Sequence, residues 1–298
     1  MPGYLLLGKF GQLGWELRRT LAPFGEVQAL DYPEINLMQF EGIQEILQQA
    51  VPEVIINATA YTAVDRAEQE DETAYTINSQ GPRRLAEWAS ANNSVLIHYS
   101  TDYVFDGKKG SPYTEQDQPN PLGVYGKSKL AGEEAIEAVD CAYLIFRTSW
   151  VYSLRRDSFV TKVLTWARHQ PELRIVDDQV SNPTWCRMLA EATALILAKA
   201  GKNPHGWIYE RRGVYHLAGS GFTSRLEWAR EILRLDPHPG EQTTTAVQPA
   251  KTSDYPTPAQ RPLFSALDCG KFSEAFLFQL PEWQEALALA MAVNNDRF

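Results

Sequence analysis

Along the first half of the chain, short apolar runs alternate with longer stretches whose apolar residues recur every three or four positions. The runs "YLLL" (Tyr4 to Leu7), "VQAL" (Val27 to Leu30), "VIIN" (Val54 to Asn57), "VLIHYS" (Val95 to Ser100) and "YLIFRTSW" (Tyr143 to Trp150) predict strands. Between them, "GWELRRTLAPF", "FEGIQEILQQA", "AYTINSQGPRRLAEWASA" and "SKLAGEEAIEAV" carry helical spacing. Successive parallel strands need such crossovers, and right-handed winding makes a doubly wound parallel α/β sheet the economical topology.

After about residue 152 the alternation fades. "FVTKVLTWARH", "RMLAEATALILAKA", "RLEWAREILRL" and "PEWQEALALAMA" predict helices, and "VYHLAG" a strand near 214–218 that returns to the main sheet. Proline and threonine crowd residues 236 to 262, which predicts loop with one short strand. The chain therefore divides into a sheet domain, 1–152, and a smaller lobe, 153–298, packed on it.

Composition narrows the classes. A chain of 298 residues, 44% hydrophobic and 22% charged, can bury a large core. Its formal charge of −9 disfavours a sequence-independent nucleic-acid binder. Cys141, Cys186 and Cys269 are odd in number, far apart and without CxxC spacing, so they read as buried free thiols. The apolar run at the start is too short for a signal peptide, and no later window approaches a membrane span, so the expectation is a cytoplasmic protein with no membrane partner.

The first strand runs into "GKFGQLGWEL", where Gly8, Gly11 and Gly14 form a GxxGxxG turn that opens a helix. Such a turn lets backbone N–H groups and a helix dipole meet a pyrophosphate, which makes 1–152 a dinucleotide-binding, Rossmann-like domain. Asp31, at the end of the second strand, stands where a carboxylate takes the adenosine ribose hydroxyls of NAD. Lys9 could instead meet the extra phosphate of NADP, so NADH and NADPH both stay open. Gly8, Asp31, Asn57, Thr101 and Trp150 all fall at carboxyl ends of predicted strands, the edge where open α/β sheets bind ligands.

A long connection, "FDGKKGSPYTEQDQPNPLG", separates the fourth strand from Tyr125 and Lys129. At (i, i+4) these two share a helix face, so the ammonium can sit near the phenol and ease proton transfer to a carbonyl that takes hydride from a nicotinamide. His98 and His216 lie within apolar strands and read as core histidines; Glu133 and Glu134 read as a solvated helix face.

In order and spacing, "GKFGQLGWEL", "VIINATAYTAVDRAE", "HYSTDYVFDG", "PLGVYGKSKLAGE", "RTSWVYS", "DDQVSNPTW", "GVYHLAGSG" and "YPTPAQRPLFSALDCGKF" closely resemble the dTDP-4-dehydrorhamnose reductases, extended short-chain dehydrogenases/reductases, over nearly the whole chain. The resemblance implies reduction of the 4-keto group of dTDP-4-dehydro-L-rhamnose by NADPH or NADH, for dTDP-rhamnose and cell-surface polysaccharide synthesis, with 153–298 as the substrate-binding lobe. It makes Thr101, Tyr125 and Lys129 a catalytic triad. Gly11, Gln12, Leu13, Asp31, Asn36, Leu37, Ala60, Tyr61, Thr62 and Tyr99 fall where the family contacts the dinucleotide. Asp102, Tyr103 and Trp150 fall where it contacts the sugar, and Arg261 resembles an arginine facing the diphosphate.

The run Thr101-Asp102-Tyr103 lacks the glutamate of the related 4,6-dehydratases. Two positions depart from the family pattern: "LRRDSF" (Leu154 to Phe159) replaces a glycine- and asparagine-containing stretch, and Asn36 stands where an aspartate is common. Some members form homodimers through Mg²⁺ held partly by a glutamate matching Glu16, but one ligand does not make a site for a hard cation. The alternatives are a reductase or epimerase of another nucleotide sugar, and a non-catalytic dinucleotide-binding regulatory subunit.

Overall fold

The computed structural model describes residues 3–292. Five strands, β1 (Gly3–Leu7), β2 (Glu26–Leu30), β3 (Val54–Asn57), β4 (Val95–Thr101) and β5 (Ala142–Thr148), join a sixth, β6 (Gly213–His216), in one sheet of order β6-β5-β4-β3-β1-β2. Every pairing in it is parallel. The protein is thus an α/β fold with a doubly wound, Rossmann-like sheet.

Both faces of this sheet are covered, which is why its inner strands are nearly unbroken apolar runs. Leu5 and Leu7 pack on one side with Ile43 and Leu47 of α2 (Phe40–Ala50), Leu85 and Ala89 of α3 (Gly81–Asn92) and Ile136 of α4 (Val124–Glu137). Leu6, Ile56 and Ile97 face the other side. There they meet Leu17 and Leu21 of α1 (Gln12–Leu21) and Leu189, Ile196 and Leu197 of the long helix Cys186–Ala200. The chain beyond 152 therefore gives the sheet both a strand and a covering helix.

A second core forms where the helices Phe159–His169, Arg225–Arg234 and Trp283–Ala292 gather around Trp228, Tyr152 and Leu287. The proline-rich stretch supplies the strand Ala246–Ala250, paired in parallel with Glu172–Val176. Cys141 and Cys186 are buried and Cys269 half-buried, all unpaired. Among the described residues no helix is long and apolar enough to cross a membrane.

Two elements differ from their sequence pattern. The stretch read as one helix from residue 74 is a short helix Asp71–Tyr75, a π-helical turn Thr76–Gln80, and then α3. The wide turn carries Asn78, whose Oδ1 accepts from Tyr61 N at 2.8 Å and whose Nδ2 donates to Ser128 Oγ at 3.0 Å, fastening α4 to the loop after β3. The fifth strand stops at Thr148, because Trp150 takes a left-handed backbone with φ +41° that no strand can continue.

Candidate active site

At the carboxyl end of β1 the chain reverses sharply into α1. Gly8 has φ +92°, and a Cβ on Gly14 would lie 1.9 Å from the Gly8 carbonyl oxygen. Only glycine allows α1 to start this close to the strand. Gly11 is the N-cap of α1 and no side chain caps it, so the first N–H groups of the helix stay free for an anion.

The Asp31 carboxylate accepts from Phe10 N and from Tyr32 N, both at 2.8 Å, which holds a negative charge at the end of β2 beside the turn. Lys9 is paired with Glu34.

These ends, with those of β3, β4 and β5, bound a cleft of about 510 Å³. Gly8, Gly11, Gln12, Leu13, Asp31, Ala60, Thr62, Tyr99, Tyr125 and Lys129 line it. Gly14 lies beneath the turn, Leu37 in the core, and Tyr61 turns its hydroxyl to Glu70. Asn36 Oδ1 is used by Met38 N at 3.0 Å. These four do not line the cleft. Sequence reasoning missed Thr148, Arg156 and Asp157, which do. The buried Gln12 Oε1 and Thr148 Oγ1 have no partner among the described residues. Free helix N–H groups, a fixed carboxylate and two unpartnered polar atoms fit a dinucleotide.

Helix α4 reaches the cleft because Gly126 permits it: a Cβ there would lie 2.2 Å from the Tyr103 carbonyl oxygen. Its first turn is tied by Glu68, whose Oε1 accepts from Val124 N at 2.8 Å. Tyr125 is thereby set edge-on to Tyr103, ring centroids 5.7 Å apart. Desolvation pushes the Tyr125 phenol above its ordinary pKa; Thr101 acts to lower it, and Asp102 and Tyr103 to raise it.

Lys129 lines the same cleft and is held by β4. Its Nζ lies 3.1 Å from His98 Nε2 and donates to the Tyr99 carbonyl oxygen at 2.7 Å. The groups that move the phenol are Thr101, Asp102 and Tyr103, with the lysine bound to β4. Burial lowers Lys129 to about 8, against the favourable charge of Glu133. Glu133 itself is fully buried rather than solvated: Arg147 Nη2 reaches its Oε2 at 2.6 Å, and Ser100 donates to its Oε1. Glu134 is exposed. Periodicity cannot see a partner on β5.

Asp102 is turned away from the cleft. It is buried, accepting from Ser265 Oγ at 2.5 Å, Ser181 Oγ at 3.2 Å and Thr101 Oγ1 at 3.2 Å. Desolvation raises it to about 6, opposed by those hydrogen bonds. It binds the end of β4 to two segments of the second lobe.

Beyond Tyr103 lie the remaining expected residues. The Arg225 guanidinium sits 3.7 Å from the Trp150 ring centroid, and Trp150 stacks on Trp228 at 5.4 Å. Arg261 Nη2 donates to Asp65 Oδ2 at 2.7 Å. Desolvation lowers Arg225 to about 10, with Arg261 adding repulsion, so two guanidinium groups flank this side. The sequence marks Arg225 only as one more polar position of an amphipathic helix.

Glu16 is buried with both neighbours cationic: Arg19 Nη1 at 2.8 Å and Arg187 Nε at 3.3 Å meet the same oxygen. A carboxylate neutralised in this way does not fit Mg²⁺, and among the described residues no cluster of three acidic, histidine or cysteine side chains could hold a metal.

The family model described as RmlD substrate binding domain matches residues 3–295. The dTDP-4-dehydrorhamnose reductase of Burkholderia thailandensis is 39% identical over 290 residues, covering 96% of this chain and 97% of its own. The chain belongs to the dTDP-4-dehydrorhamnose reductase family. Among solved structures, the dTDP-4-dehydrorhamnose reductase from Clostridium acetobutylicum superposes with a TM-score of 0.88 at 32% identity, covering 98% of this chain and 99% of that one. The dTDP-4-dehydrorhamnose reductase from Bacillus anthracis, crystallised in complex with NADP, does so at 0.87 and 29% identity, with the same coverage.

Proposed function

We propose that this protein reduces the 4-keto group of dTDP-4-dehydro-L-rhamnose to dTDP-L-rhamnose with NADPH or NADH. The observation that carries the chemistry is Tyr125, on the wall of a cleft that opens on the glycine turn, with the buried Thr101 hydroxyl beside its phenol. A reduced nicotinamide, when bound, supplies hydride to the carbonyl carbon.

The chain's own groups do the rest. The free N–H groups at the start of α1, with Gln12, hold the pyrophosphate, and Asp31 takes ribose hydroxyls. Thr101 turns its hydroxyl to the substrate oxygen, and Tyr125 gives that oxygen its proton. A phenol with a raised pKa stays protonated at neutral pH, yet it is still more acidic than the alcohol formed when the developing alkoxide takes its proton. Lys129 holds the nicotinamide ribose and, as an ammonium, favours the phenolate left behind. Tyr103 and Trp150 bound the sugar. Arg225 and Arg261 offset the diphosphate charge and so give the acidic chain its local attraction for an anion. In this reading residues 1–152 bind the dinucleotide and 153–298 mainly the nucleotide sugar.

The test is direct. The pure protein mixed with dTDP-4-dehydrorhamnose and either reduced cofactor should consume it stoichiometrically, followed by nicotinamide absorbance. No consumption with both cofactors overturns the reading.

A further inference from the structure

Behind Lys129 a buried chain of hydrogen bonds has a fixed direction. The backbone N–H of Thr59 donates to Asn57 Oδ1 at 3.1 Å, and Thr59 Oγ1 donates to the same oxygen at 2.5 Å. A backbone N–H can only donate, so the amide oxygen must face Thr59 and the Asn57 NH₂ must face His98, whose Nδ1 is 3.1 Å away. That NH₂ also only donates. Nδ1 is therefore the bare, accepting nitrogen. His98 is fully buried, and burial and the neighbouring lysine hold its pKa well below the usual value, so the ring is neutral. Its single proton then sits on Nε2, the nitrogen 3.1 Å from Lys129 Nζ.

An ammonium has no lone pair and cannot accept that proton; an amine can, while still donating to the Tyr99 carbonyl oxygen. We propose that Asn57 and His98 are positioning residues that bias Lys129 toward the neutral amine, and so set the upper pH limit of the activity.

The proposal rests on the role given above to the Lys129 ammonium. The other groups around Lys129 act as follows. Glu133, one turn further along α4, favours the ammonium, but Arg147 from β5 and Ser100 from β4 already engage its carboxylate. Tyr125, one turn back, is a neutral phenol, and Asn78 and Ser128 are neutral and bonded to each other. Beside burial, the direction of the chain from Thr59 through Asn57 to His98 is thus the contact that opposes protonation.

Two measurements test it. In the cofactor-free wild-type protein at neutral pH, ¹⁵N NMR of the imidazoles, with His98 assigned through His98→Gln, should show Nε2 protonated and Nδ1 bare. The opposite tautomer, or an imidazolium, overturns the proposal, and this result does not depend on which sugar is reduced.

The second is the pH profile of kcat/KM. Asn57→Asp places an acceptor against Nδ1, moves the ring proton there and leaves Nε2 bare to accept from an ammonium. Its alkaline limb should rise by at least about one pH unit, which is about tenfold more relative activity well above the wild-type midpoint. His98→Gln, which can present an amide oxygen to Nζ, should shift it in the same direction. A uniform loss of kcat with an unmoved midpoint in both variants overturns the proposal and leaves only a packing role. Where a variant fails to fold, as judged by its melting curve, the tautomer measurement decides alone.

Discussion

At the scale of single residues, the proposed chemistry rests on one hydroxyl. Tyr125→Phe keeps the ring against Tyr103 and removes the proton donor, so kcat should fall by about 10²–10⁴ with little change in cofactor affinity. A variant that turns over at the wild-type rate contradicts the mechanism. Asp102 gives a second test, on stability. Its folded pKa of about 6 lies above the ordinary 3.8, so the folded state binds the extra proton. The stabilisation from that proton is complete below about 3.8 and is lost as pH rises through about 6, a change of roughly 3 kcal/mol. Asp102→Asn removes this dependence. Urea unfolding at pH 4.5 and pH 8 should show the variant gaining on the wild type at the higher pH; parallel losses in both proteins would contradict it. Tyr125 and Lys129 were singled out by their spacing only together with the glycine turn and the long loop before them, and both line the cleft. The inward turn of Asp102 was not, because Ser181 and Ser265 lie 79 and 163 residues away.

At the scale of elements, α4 is where sequence and structure part most clearly. Its period was readable, but a pattern of polar positions cannot tell solvent from a buried partner. Glu133 lies on the face turned to the sheet and completes an ion pair with Arg147 of β5. Glu133→Gln leaves that guanidinium buried without its counter-charge, which should cost about 3–5 kcal/mol in denaturant unfolding. A loss within the range of a surface substitution, about 0.5 kcal/mol, would show that the pair is solvated. The turn from β1 into α1 was legible for the opposite reason. The close approach of helix and strand admits no side chain at Gly14, so the geometry is written directly as glycine. The π-helical turn left no such mark. Asn78 was an ordinary polar residue until its partners on Tyr61 and Ser128 were seen.

At the scale of the whole molecule, the two halves are interlaced rather than joined end to end. β6 hydrogen-bonds to β5, and Leu189, Ile196 and Leu197 of the Cys186–Ala200 helix share a core with Leu6 and Leu17. One face of the sheet takes its core from both halves, so calorimetry of the full chain should give one cooperative transition. Two separable transitions would contradict this. The apolar runs announced the strands and their order of appearance, while the exchange of elements between halves depends on contacts between distant positions that local periodicity does not carry. The stack of Arg225, Trp150 and Trp228 has an optical consequence. An indole in contact with both a cation and a second indole changes its emission when the cation is drawn onto a phosphate. Stopped-flow tryptophan fluorescence should therefore time the arrival of dTDP separately from nicotinamide oxidation. The signal should vanish in Trp150→Phe, and one that persists there would assign it to another of the eight tryptophans.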